Sequence, residues 1–206
     1  MTTHINSENY LQTLLKNYIT HNDLQSIINI KDFLTIDDPN ILETALQYRN
    51  IEIIKYFLYN DFAIPKQVEN TSLLHYLIQF KLDDLFMDFC LSISNIKEFI
   101  NYVEKYEENS LNILLLAIFH NCNISIIKYI IENTDNLNYI DDNGDTALIL
   151  AAKFIRTETL NILLKYDIDV NIKNKIGYNV LFYLFRNMDI ELIDNVIRKG
   201  GCFIID

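Results

Sequence analysis

Apolar residues in this chain come in short runs with helical spacing, separated by small clusters of Asn, Asp, Gly and Lys. Residues 10–19 and 23–30 carry the i, i+3, i+4 pattern of two short helices. Residues 53–58 (IIKYFL) and 126–131 (IIKYII) are near duplicates, and each follows an apolar segment containing a small residue, Ala45 or Ala117. Leu160, Leu163 and Leu164 form the same kind of stripe behind Ala151 and Ala152. The pattern predicts pairs of helices: a first helix with small residues that admit close neighbours, then an amphipathic second helix.

The pairs recur. Leu42, Leu74, Leu114, Leu148 and Leu181 mark successive first helices at spacings of 32, 40, 34 and 33 residues. Gly144 and Gly177, Leu148 and Leu181, Leu163 and Val196, and Leu164 and Ile197 are each 33 positions apart. A buried Leu contributes ~1.5–3 kcal/mol, and no single pair can cover its own stripe, so the units must stack on one another. The expected division is a degenerate N-terminal capping unit at 1–34, then units at 35–66, 67–106, 107–140, 141–173 and 174–206, all in one domain. The spacing of 40 leaves room for an insertion, and Ile96, Phe99, Ile100 and Val103 predict a lengthened or extra helical segment near 95–105.

The clearest unit contains Asp141, Gly144, Thr146, Ala147, Leu148, Ala151, Ala152, Leu163, Leu164, Asp169, Val170 and Asn171, and in this it resembles the ankyrin repeat family. The resemblance covers roughly residue 40 to the C-terminus and is weakest in the third unit. It implies an all-α ankyrin-repeat solenoid of about six helix-turn-helix units with short hairpin tips. Asp142-Asn143-Gly144 supplies a tight turn, and Thr146 can cap the helix that follows. The family's Thr-Pro-Leu-His becomes Thr146-Ala147-Leu148-Ile149 here, which predicts a less well capped start, and Ser72-Leu73-Leu74-His75 in the third unit. His75 thus falls where the family places a structural histidine.

Half of the residues are apolar, and with 4 Gly and 2 Pro in 206 the chain is built to fold. A net charge of -11 repels phosphate backbones, so nucleic acid is not an expected partner. Cys90, Cys122 and Cys202 lie far apart without CxxC spacing. No secretory signal and no apolar run of the ~20 residues needed to span a bilayer is visible, which places the chain in the cytoplasm or nucleocytoplasm. Its divergent units are similar to short ankyrin proteins of poxviruses, other large DNA viruses and host-associated bacteria, which implies a host-cell address.

Nothing in the sequence points to catalysis, a cofactor or a metal. His4, His21, His75 and His120 occur singly. The acidic run Asp141, Asp142, Asn143, Asp145 fails as a calcium loop, with Gly at the fourth position and Ala152 at the twelfth. A protein partner is expected instead, held through a concave face that the resemblance places at hairpin tips and first-helix ends. There the candidates are Tyr48, Phe80, Phe119 with His120, and Phe154, with Asn143, Asp145, Ile176 and Tyr178 at the tips. Asn171 resembles sites modified by asparaginyl hydroxylases, although the family also uses this residue to brace the hairpin. Two functions follow: an adaptor or inhibitor that masks a cellular or host protein, or a structural or regulatory subunit that self-associates or stacks on another domain through its C-terminal unit. A monomer is expected over a homo-oligomer, and the apolar ending at Phe203, Ile204 and Ile205 is what keeps the second reading open.

Overall fold

The computed structural model describes residues 3–35, 37–68, 71–106 and 109–202. Contacts divide the chain into two compact units, Met1–Leu73 with Asp88–Ile93, and Leu74–Met87 with Ser94–Asp206.

In the first unit, α1 (Thr3–Thr20) and α2 (Leu24–Ile30) precede a 3-10 turn at Lys31–Phe33, then α3 (Pro39–Gln47) and α4 (Ile51–Tyr59). Asp23 caps α2 by accepting the Ser26 N–H at 3.0 Å, and Asp38 caps α3 by accepting the Asn40 N–H at 3.0 Å. Pro39 opens α3 where no amide hydrogen is needed. Ile41, Leu42, Ala45 and Leu46 of α3 and Ile53, Ile54, Phe57 and Leu58 of α4 are buried, as the periodicity requires. The Asn50 side chain donates to the Ile19 carbonyl and ties α4 back to α1. A short hairpin of β1 (Gln67–Val68) and β2 (Thr71–Ser72) follows.

The second unit takes in parts of α5 (Leu73–Gln79) and α6 (Asp83–Ser92), then α7 (Ile96–Ile100), α8 (Ile113–His120), α9 (Ile124–Asn133), α10 (Ala147–Lys153), α11 (Thr157–Leu163), α12 (Val180–Asn187) and α13 (Ile190–Arg198). α10 packs on α8, on α12 and on its own partner α11, and residues 147–152 are all buried. Ala151 and Ala152 let those backbones approach closely. The second helices keep one wet face: α9 buries Ile126, Ile127, Ile130 and Ile131 and leaves Lys128 exposed. The start of α10 is capped after all, because the Thr146 hydroxyl accepts the Ile149 N–H at 3.3 Å.

One turn joins the helices of every pair. A residue at positive φ stands between α1 and α2 (Asn22), α3 and α4 (Arg49), α5 and α6 (Lys81), α8 and α9 (Asn121), α10 and α11 (Ile155), and α12 and α13 (Met188). Around Ile155 its own N–H bonds the Ala152 carbonyl at 3.2 Å and the Arg156 N–H bonds the Ala151 carbonyl at 2.8 Å. That pair of bonds closes the helix end in a Schellman turn.

The stretch near 95–105, expected to be helical, holds α7 as far as Ile100, which is buried. Asn101 stops the helix: its side chain donates to the Lys97 carbonyl at 2.9 Å and to Asp135 at 3.0 Å. The chain then runs into β3 (Val103–Tyr106), antiparallel to β4 (Asn109–Asn112), with Val103 opposite Asn112.

Side-chain amides connect successive helix pairs. Asn109 donates to Asp141 at 2.5 Å and accepts the Asp142 N–H at 2.8 Å, Asn138 accepts the Asp169 N–H at 2.9 Å, and Asn187 donates to the Ala152 carbonyl at 2.8 Å. The partners are 31 to 35 residues apart, one period of the chain. Among the described residues no helix is long and apolar enough to cross a membrane. Phe203, Ile204 and Ile205 lie outside the described residues.

Candidate functional site

The last turn of α8 and the end of α10 bring two of the sequence-selected aromatics together. The rings of Phe119 and Phe154 meet edge to face at 5.5 Å and 87°. Both remain open to solvent, 39% and 37% exposed. Phe119 also meets the His120 ring at 5.3 Å, and the Arg156 guanidinium sits 6.0 Å from the Phe154 ring. An open hollow of ≈ 370 Å³ adjoins them, lined by Phe119, His120, Lys81, Asp83, Cys122 and Arg156 among others. Phe80 is half-buried and leans on Tyr76 at 4.6 Å. Tyr48, in the first unit, is exposed.

The tips divide differently. Asn143 is exposed, and its carbonyl accepts the Lys175 N–H at 2.9 Å. Ile176 and Tyr178 are exposed at the next tip, with the Tyr178 ring stacked on Phe182 at 3.6 Å. Asp145, selected as a rim residue, is only 1% exposed. Its carboxylate bonds the Lys153 ammonium at 2.6 Å and accepts from the Asn174 amide at 2.8 Å, so it belongs to the interior. The cause is local: Asp141 accepts the N–H groups of Asn143 (2.8 Å) and Asp145 (2.7 Å), which folds the tip over α10 and turns Asp145 inward.

Asn171 bridges the end of the last helix pair. Its amide donates to the Gly200 carbonyl at 3.0 Å and its oxygen accepts the Cys202 N–H at 2.9 Å. His75 is 2% exposed, and its Nε2–H donates to the Leu111 carbonyl at 3.2 Å. Burial pulls its pKa down to about 4, so the ring is neutral at pH 7. Burial pushes the Cys90 and Cys122 thiols up to about 12, with Asp83 adding to the effect at Cys122, which leaves both protonated and poor nucleophiles. The described residues contain no group of three or more His, Cys, Asp or Glu that could hold a metal ion.

Sequence reasoning missed Ile155 and Met188, which occupy the left-handed turn position and are 66% and 77% exposed. Phe185, at 44%, was also missed. The available signal is register: Ile155 and Met188 are 33 residues apart, directly after the late first-helix pairs Lys153-Phe154 and Arg186-Asn187.

Residues 74–174 match the family profile described as Ankyrin repeats (3 copies). No curated protein matches the sequence. Solved structures do: an ankyrin repeat domain from Acinetobacter baumannii at TM-score 0.71 and 17% identity, covering 93% of this chain and 100% of that one. A chain in the complex of a predatory endopeptidase from Bdellovibrio bacteriovorus with an immunity protein aligns at TM-score 0.64 and 17% identity, over 90% of this chain and 97% of that one. The ankyrin repeat domain of Bcl-3, an IkappaB family protein, aligns at TM-score 0.63 and 15% identity, over 91% and 86%. Likeness at this level of identity establishes the fold.

Proposed function

We propose, for a chain that belongs to the ankyrin repeat family, that it is a non-enzymatic adaptor or inhibitor which masks a cellular or host protein. Ankyrin repeats in general mediate protein–protein interaction. The face we assign carries Phe119 and Phe154, with His120 beside them and Asn143, Ile176 and Tyr178 at the tips.

The observation that carries this reading is the edge-to-face pair of Phe119 and Phe154, 5.5 Å apart and more than a third exposed. Two large rings fixed against each other give contact area with few rotamers left to freeze, which is how binding hot spots are built. The structural likenesses to a chain in an endopeptidase–immunity protein complex and to the Bcl-3 domain support a protein partner. A cytoplasmic or nucleocytoplasmic site of action agrees with this reading.

Affinity capture from host or parent cells tests it, comparing wild type with the double variant Phe119→Ala, Phe154→Ala after circular dichroism shows both folded. Loss of the captured protein by at least ~10-fold is expected, the effect of removing hot-spot rings worth ~1–2 kcal/mol each. Equal yields from both proteins would remove the ring pair from the site.

A further inference from the structure

α13 carries three isoleucines, Ile190, Ile193 and Ile197, spaced three and four residues apart as in a coiled-coil seam. They are not core residues: Ile190 is 76% and Ile197 50% exposed, and Ile193 is half-buried. The core side of the helix is held separately by Leu192 and Val196, at 2% and 0%. The isoleucine ridge is therefore a second apolar face.

The equivalents of its middle position one and two periods earlier are covered, and those of its two ends less so. Leu160 of α11 and Ile127 of α9 stand where Ile193 stands and are 1% and 2% exposed; where Ile197 stands, Ile131 is 2% exposed and Leu164 half-buried; where Ile190 stands, Ile124 is half-buried and Thr157 exposed. α11 touches both α9 and α13. Among the described residues, Ile193 and Ile197 are thus more open than their counterparts in the earlier pairs, and Ile190 extends the apolar face where α11 has Thr157. On α12, Phe185 is 44% exposed where α10 has Ala152 at 0%.

The charges beside the ridge say what fits. On a helical projection, Glu191, Asp194 and Arg198 fall on one flank of the isoleucines. The flank is acidic in the first half of the helix and basic at its end, where Arg198 bonds Asp194 at 2.7 Å and is 76% exposed. In an antiparallel helix pair each flank meets the same flank of the other helix, so the acidic half of one copy lies on the basic end of its twin. A parallel pair loses that match. A face complementary to itself under a two-fold rotation is the signature of an isologous contact.

We propose that α13 is a self-docking surface, on which two copies of this chain pair antiparallel along Ile190, Ile193 and Ile197, with Glu191 of each copy beside Arg198 of the other. This departs from the expectation of a monomer over a homo-oligomer. The interface is small, and the dimer is correspondingly weak and concentration-dependent.

Sedimentation of the full chain over a concentration series reaching about 1 mM, where weak small interfaces populate, reads it directly. A monomer–dimer equilibrium is expected. Ile190→Asp with Ile197→Asp abolishes it, while the exposed positions leave the circular dichroism spectrum unchanged. Glu191→Arg alone and Arg198→Glu alone each weaken the dimer roughly 10-fold, since like charges then oppose at both symmetric contacts. The Glu191→Arg, Arg198→Glu double variant restores it to within about 3-fold of wild type, the outcome a purely structural role for either residue does not produce. A monomer at every concentration overturns the proposal. So does a dimer indifferent to the aspartates, a double swap without rescue, or open-ended assembly in place of a closed dimer.

Discussion

The helix pairs α10–α11 and α12–α13 read almost the same ladder of positions 33 residues apart, but the two ladders sit in different surroundings. Asp145 is buried in an ion pair, whereas Tyr178 at the equivalent place is 38% exposed. Ile149 and Ala152 are sealed at 1% and 0%, whereas Phe182 is half-buried and Phe185 is 44% exposed. In a stacked array, burial at a position is set by the neighbouring pair as much as by the residue itself. A flanked pair can therefore keep a buried polar network and small residues, while the last described pair carries rings and isoleucines at its edge.

The largest expected effect extends this comparison to a third helix start, where His75 stands in place of Ile149. The fold holds its imidazole neutral, with a pKa near 4 against an ordinary 6.5. Its contribution is whole above pH 6.5 and is lost as pH falls to about 4, a change of roughly 3 kcal/mol. Urea unfolding at pH 7 and pH 4 should show His75→Gln losing less stability on acidification than wild type by about that amount. Equal pH dependence in both proteins would mean that the buried ring is not what titrates.

Next come the paired glycines. Gly144 has φ +77°, and a Cβ there would meet the Lys175 amide nitrogen at 2.9 Å and the Asn174 Cα at 3.0 Å. Gly177 has φ +84° with nothing within 4 Å. Gly144→Ala should cost at least ~2 kcal/mol, backbone conformation and collision together, and Gly177→Ala only ~1 kcal/mol from conformation alone. Similar costs in thermal unfolding would erase the distinction between flanked and outer tips. The smallest effect has the opposite sign. Ile155 is β-branched and held at φ +56°, so Ile155→Gly should stabilise by ~0.5–1 kcal/mol, the strain relieved less the extra freedom of the unfolded chain.

The helix pairs are legible in the sequence because close-packed first helices demand Ala and Leu at fixed places and second helices demand an apolar stripe. The turns between helices are legible only after the fact. Their left-handed position is filled by Arg49, Lys81, Ile155 and Met188 without a glycine to announce it. Val103 continues the spacing of Ile96 and Ile100, and only the β3–β4 pairing shows that it sits in a strand. At the candidate site, the adjacency of Phe119 and Phe154 follows from register. The inward lean of Phe80 and the burial of Asp145 do not: the first is set by the Tyr76 ring one helical turn away, and the second by the Asp141 turn together with the partners Lys153 and Asn174 that receive the carboxylate.

The asparagine bridges give the array a graded lock. Backbone amides of Asp142, Asp169 and Cys202 are held by side chains 31 to 33 residues away, not by their own helix or turn. Such protons exchange with deuterium when adjacent pairs part, and need not wait for either pair to melt. Each becomes a reporter of one seam, and the chain's wealth of asparagine is in part a set of fasteners whose opening can be timed separately.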